Sequence, residues 1–325
     1  MPQNLTEEPF SGNGQTVLRY QTFVLLILTE LGITMGAHRY FTHRTFKANI
    51  IIRRVLIVLF TMCGQNSLWQ WVKDHRQHHK YSDTDADPHN ARRGFFFSHV
   101  GWLISERHPK VLQYSKGIDM SDLEADSWIM FQNKYYFQVY AVVCVLIPCI
   151  IPIILWNEDP VKSFLVCYSA RTCLSLTFTC FINSLAHTYG QRPYDKTILP
   201  RQNKFVSIFI AGEGWHNFHH AFPWDYRASE LGTSFNLAAN AIDFCAKMGW
   251  VYDLKTVSVQ SLEKRIKKTG DNSHEKYGKQ ATRCYGDNKI IGLNAIHPVP
   301  FGLVPDFAKY FHDDFILETR CKEFL

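Results

Sequence analysis

Residues 75–79 read His75-Arg76-Gln77-His78-His79, and the same spacing returns at His216-Asn217-Phe218-His219-His220. A helix turns about 100° per residue, so positions i, i+3 and i+4 place three imidazoles on one face of each stretch. Two more clusters accompany them. His38-Arg39-Tyr40-Phe41-Thr42-His43 closes the first apolar segment, and Asn183-Ser184-Leu185-Ala186-His187 closes the third, with Asn183 and His187 on one helical face. His38 and His43 are i, i+5, about 140° apart on a regular helix, so the spacing predicts a helix end or bend between them. Nine of the fifteen histidines lie in these four clusters. Packing gives no reason to gather them, and protonated rings would repel; neutral imidazoles around a cation remove the conflict. Nine nitrogens exceed the usual four ligands of one zinc, so two metals with four or five nitrogens each are expected. Imidazole suits iron, copper, zinc and nickel alike, and spacing leaves the metal open, structural zinc included. His89, His99, His108, His274, His297 and His312 fall outside the clusters and read as ordinary surface or hydrogen-bonded histidines.

Outward from the clusters, three segments are apolar enough to span a bilayer, which takes about 20 residues. They run over 16–37, 135–156 and 161–186, the second carrying Pro148 and Pro152, which should kink it. The acidic link Asn157-Glu158-Asp159-Pro160 makes the last two a hairpin. Its tip lacks Lys and Arg, whereas Arg39, Arg44, Lys47, Arg53 and Arg54 follow the first span, so the positive-inside rule puts every histidine cluster in the cytosol. Residues 50–64 read as a helix lying in the interface, and 233–250 as an amphipathic helix. Strand signals are few. The fold class is therefore all-α: a membrane helical bundle with a cytosolic helical cap. It divides into a polar segment 1–15, a membrane domain 16–275 and a loosely ordered tail 276–325.

Composition agrees. The 325 residues are 46% hydrophobic and 20% charged, with a mean hydropathy of -0.16, too apolar for a disordered chain and too polar for one mostly in lipid. The net charge of +6 is not organised into a basic, aromatic-interleaved stretch, so no nucleic acid partner is expected. Nine scattered cysteines without a C-x-x-C pair read as small hydrophobes, not a disulfide framework.

The four clusters, in this order around these spans, resemble the membrane fatty acyl-CoA desaturases, the stearoyl-CoA Δ9 group of animals and its insect members in particular. Gly32-Ile33-Thr34-Met35-Gly36-Ala37, Asp83-Thr84-Asp85-Ala86-Asp87-Pro88-His89-Asn90, Gly94-Phe95-Phe96-Phe97-Ser98-His99-Val100-Gly101-Trp102, Arg192-Pro193-Tyr194-Asp195 and Gly212-Glu213-Gly214-Trp215 carry the likeness further, over roughly residues 20–270. The resemblance implies a multi-pass enzyme of the endoplasmic reticulum, its active site facing the cytosol. It would use O2 and two electrons from cytochrome b5 and its reductase to insert a cis double bond, Δ9, into a saturated fatty acyl-CoA. Two iron ions would be held by His38, His43, His75, His78, His79, His187, His216, His219 and His220, with Asn183 reaching one through water. Trp71 and Thr179 match the kink of the acyl tunnel, Asn66, Lys73 and Asp74 the CoA headgroup, and Leu26 and Glu30 the tunnel's closed end.

Departures from the family pattern set further expectations. Three spans stand where the family has four, which calls for a lumenal N-terminus. Glu30 replaces a small residue and should be protonated, water-facing, or paired with Arg19 or Arg171. Glu106-Arg107 replaces two basic residues, leaving Arg107 and Lys73 for the CoA phosphates. A His-Pro-Gly-Gly haem motif does not occur, so the cytochrome must be a separate protein. The alternatives are a histidine-box hydroxylase, or a non-catalytic relative that binds metal or partner desaturases.

Overall fold

The computed structural model describes residues 11–210, 212–230 and 236–278. The tail from residue 279, with His297 and His312, lies outside the described residues, as do residues 1–10. Among the described residues three helices are long and apolar enough to cross a bilayer: Thr16–Thr42, Tyr136–Trp156 and Pro160–Thr188. Helix begins at Ser11, inside the polar segment 1–15. Among the described residues the regular strands are two short ones, Lys47–Ala48 and Val251–Tyr252, paired antiparallel with Lys47 opposite Tyr252.

The first span outruns the expected 16–37 because its helix widens instead of ending. Gly32–Thr42 winds in π-helical turns, and His43 N–H donates to His38 O at 3.1 Å. An i→i−5 bond brings the fifth residue back round beside the first, which is how His38 and His43, on different faces of a regular helix, come within 5.0 Å ring to ring. Gly32 allows the Ile50–Thr61 helix to lie against this segment, since a Cβ there would stand 2.4 Å from the Leu59 carbonyl carbon. Ile50–Thr61 exposes Ile50, Ile51, Val55 and Val58 while burying Leu56, Ile57 and Phe60, the two-sided apolar character of a helix at the lipid interface.

Each proline of the second span frees a carbonyl one turn earlier, and polar side chains of the other spans accept the role of donor. Gln21 Nε2 donates to Pro148 O at 2.9 Å, the carbonyl that residue 152 cannot reach. Arg171 Nη2 donates to Cys144 O at 2.9 Å, four residues before Pro148. Arg171 has 0% exposure and also donates to Cys167 O, Thr29 Oγ1 and Met62 O. This guanidinium ties all three spans together through oxygen acceptors, not through a carboxylate. The expected Glu30–Arg171 pair is therefore absent, and Arg19 makes no ion pair with Glu30 either. Glu30 is buried, and neither carboxyl oxygen has a hydrogen-bond partner.

The cap is formed by helices whose N-terminal N–H groups are met by side chains, as at Ser67 Oγ for Leu68–Tyr81 and Asn236 Oδ1 for Leu237–Lys247. Ile33, Phe60, Leu68, Val72, Ile129 and Ile242 join the end of the first span to these cap helices in one apolar core. The seven cysteines described are free thiols.

Candidate metal centre

Leu68–Tyr81 is fixed along its length by Gln77, fully buried, whose amide donates to Ala86 O at 2.7 Å and Val111 O at 2.9 Å. That orientation turns His75, His78 and His79 inward. His216–Ala221 faces it and turns His216, His219 and His220 toward the same place. The rings interdigitate rather than pairing helix by helix. His38, His43, His75, His79 and His219 offer nitrogens within 4.8 Å of one another, and His78, His187, His216 and His220 form a second such set. Both H-x-x-H-H stretches are thus divided: His75 and His79 belong to one set and His78 to the other, while His219 belongs to the first and His216 and His220 to the second.

Each separation among the facing nitrogens is of hydrogen-bond length, but a ring nitrogen has one proton or one lone pair and cannot serve two neighbours at once, as those of His219 and His216 would have to. His219 Nε2 lies 2.9 Å from His38 Nε2 and 3.0 Å from His79 Nε2. His216 Nε2 lies 3.0 Å from His187 Nε2 and 3.1 Å from His220 Nε2, and His78 Nε2 is 3.3 Å from His220 Nε2. Meanwhile Nε2 of His43 and of His75 is buried without any hydrogen-bond partner. Orphaned buried nitrogens beside crowded ones form a donor set that a pair of cations would satisfy.

Carboxylates behind the rings decide which nitrogen faces inward. Glu213 Oε2 holds His38 Nδ1 at 3.1 Å, Asp87 Oδ2 holds His78 Nδ1 at 2.8 Å, and Asp83 Oδ2 holds His187 Nδ1 at 3.1 Å. Arg39, 1% exposed, in turn donates to Glu213 Oε1 at 2.9 Å and to Tyr226 O at 2.9 Å. Burial alone would raise Glu213, but Arg39 and then His38 outweigh it and hold the carboxyl at about 2. Burial alone would likewise raise Asp83 and Asp87, but the facing imidazoles outweigh it and lower both. His43, His75, His79, His216, His219 and His220 are pushed well below the ordinary histidine value, first by burial and then by neighbouring rings. His78 is the exception: burial lowers it, yet Asp87 leaves it raised. Six of the nine rings are thus held in the neutral form, the form that binds metal.

A cavity of about 500 Å³ opens beside the rings, a ligand-sized volume. Its walls bring together Asn66, Trp71, Asp74, Arg107, Thr179 and Asn183. Trp71 stacks on His75 with ring centres 5.0 Å apart, and Thr179 Oγ1 accepts from Gln65 Nε2 at 2.9 Å, so both are fixed in the cavity wall. Lys73 lies outside this cavity, in an adjoining groove it shares with Asn66 and Arg107, its ammonium 4.8 Å above the Trp69 ring. Leu26 and Glu30 do not line the cavity, which reaches Leu176, Thr179 and Cys180 on that side. Arg107 is not a free cation: it makes two 2.7 Å bonds to Asp74, one to each carboxylate oxygen.

His89 departs from its ordinary reading. It is buried in the cavity wall, its ring 4.2 Å from that of His78. Sequence reasoning also passed over Glu213, Asp83 and Asp87 as supports. They sit in stretches that carry the family likeness, but no fixed spacing links a carboxylate to the ring it backs.

Residues 17–253 match the fatty acid desaturase family. The chain belongs to that family. It is 50% identical over 256 residues to an acyl-CoA Delta-9 desaturase of Acheta domesticus, covering 78% of this chain and 71% of the relative. It is 50% identical over 253 residues to an acyl-CoA Delta(11) desaturase of Trichoplusia ni, covering 78% and 72%. It is 49% identical over 257 residues to an acyl-CoA Delta12-desaturase of Acheta domesticus, covering 79% and 72%. This desaturase is therefore a membrane oxidoreductase of lipid metabolism with a histidine-box iron centre.

Proposed function

We propose that this desaturase inserts a cis double bond, Δ9, into a saturated fatty acyl-CoA, using O2 and two electrons from a separate cytochrome b5 and its reductase. The nine clustered histidines hold the two irons, five on one and four on the other, and Asn183 serves the four-histidine iron through water. When bound, the irons supply activation of O2 for removing hydrogen from an unreactive methylene. The chain's own part is positional. Trp71 and Thr179 bend the acyl chain beside the rings, so that which methylene is presented follows from the shape of the wall. Asn66 and Lys73 meet the CoA headgroup at the cavity mouth, and the Asp74–Arg107 pair shapes that mouth, with Lys73 carrying the unpaired positive charge. Apolar walls exclude water from the reacting carbon.

The observation that carries the reading is the gathering of nine imidazoles beside a cavity sized for one ligand. The relatives act at Delta-9, Delta(11) and Delta12 with nearly equal identity, so bond position rests on this chain's own wall. The basic residues after the first span and the acidic hairpin tip support a cytosolic active site, and the family likeness supports the endoplasmic reticulum. Expression in a yeast strain lacking its own desaturase, with fatty-acid profiling, tests the proposal. Rescue with Δ9 products is expected; hydroxylated products, or unaltered saturated lipid, would overturn it.

A further inference from the structure

A third group of donors adjoins the four-histidine set. The donor atoms of His78, Asp87 and His89 lie within 4.8 Å of one another, and all three residues are buried. Asp87 Oδ2 meets His78 Nδ1 at 2.8 Å, but its other oxygen is 3.7 Å from His89 Nδ1, beyond hydrogen-bonding distance. His89 Nδ1 is left without a partner although the residue is only 6% exposed. A buried, unmet ring nitrogen is costly, and the neighbouring Trp102 ring, 5.3 Å away between centres, fixes its plane without meeting that need. His89 also lines the cavity, so an ion in the cavity reaches it before it reaches the closed four-histidine set.

We propose that His89, Asp87 and the Nδ1 side of His78 form a third, transient site for a divalent transition-metal cation, through which metal passes from the cavity to the four-histidine set. Two imidazoles and a carboxylate suit iron, cobalt or zinc in the divalent state. His78 belongs to both sites: Nδ1 faces Asp87 while Nε2 stands 3.3 Å from His220. Because the two sites share this one ring, they fill in sequence. The inference rests on the four-histidine set being a metal site.

The test follows Co2+ uptake by metal-free, full-length protein in detergent, read by its visible absorption and by final stoichiometry. His89→Phe keeps a ring against Trp102 and His78 but removes the nitrogen. Loss of a supporting ligand costs about 10–100-fold, so uptake of the second equivalent should slow at least about tenfold, and His89→Asp should recover most of the rate. Wild-type uptake by His89→Phe, or His89→Asp as slow as His89→Phe, would overturn the proposal. A second measurement removes dependence on that one variant: His216→Ala/His220→Ala should keep a weak second equivalent that adding His89→Phe abolishes, and its persistence would count equally against the third site. Fewer than two equivalents in the wild type would instead refute the underlying reading, whatever the rates.

Discussion

The carboxylates behind the rings allow the two halves of the centre to be perturbed separately. Glu213→Gln keeps an oxygen for Arg39 but removes the charge opposite it and presents an amide to His38 Nδ1. Arg39 and Glu213 are 1% and 2% exposed, and removing one member of a buried pair costs about 3–5 kcal/mol. Arg39 retains Tyr226 O at 2.9 Å and Asn236 Oδ1 at 3.2 Å, so the cost falls near the lower end, about 3 kcal/mol of stability. His38 belongs to the five-histidine set alone. Losing its supporting carboxylate should weaken that metal by about 10–100-fold, or about 1.4–2.8 kcal/mol at 1.4 kcal/mol per decade. Asp83→Asn does the same to His187, and hence to the four-histidine set. The assay is metal content of purified protein against buffered free metal, resolved into two binding steps. Each variant should weaken a different step and leave the other within about threefold. Both steps shifting together, or neither moving, would refute the reasoning.

Further outcomes follow from the same geometry. His219→Ala removes the ring whose Nε2 lies 2.9 Å from His38 and 3.0 Å from His79; it should abolish desaturation without loss of membrane insertion, and unchanged product would reject its role. For metal-free protein, six imidazoles are held below the ordinary value in the fold, while in the unfolded chain they titrate near 6.5. The unfolded state then binds more protons as pH falls below about 6.5, so stability present at pH 7–8 should fall on acidification, by up to about 1.4 kcal/mol per pH unit for each ring; melting temperatures independent of pH from 8 to 5.5 would contradict this. Arg171→Lys offers three donors where the guanidinium has five, for four acceptors, Cys167 O, Thr29 Oγ1, Met62 O and Cys144 O, so at least one of these bonds is lost; a loss of about 2 kcal/mol should appear in detergent melts.

The three spans were legible because length and apolarity are properties of a run, independent of what it packs against. The end of the first was not: Arg39 and the flanking histidines look like an exit from the bilayer, while the backbone continues through π turns that leave no periodic trace. The histidines that cluster were legible from their faces, since i, i+3, i+4 is a local relation. Their division five to four was not, because neighbouring rings on one face, His78 and His79, turn to different sets according to which opposing helix meets them. The supports were hidden for a related reason. Glu213 and Asp83 reach their rings only across the fold, and His89 read as a lone histidine because its importance lies in what surrounds it. Charges in the spans invited a pairing of Glu30 with Arg171, yet carbonyls freed by proline and helix ends satisfy the guanidinium instead.

The central claim is that the imidazoles divide into two metal-holding sets. An anomalous difference map collected at the iron edge, from crystals of iron-loaded protein, addresses it most directly. Two peaks are predicted, one within bonding distance of His38, His43, His75, His79 and His219, the other of His78, His187, His216 and His220. A single peak, or peaks ligated by a different partition of these rings, would contradict the account.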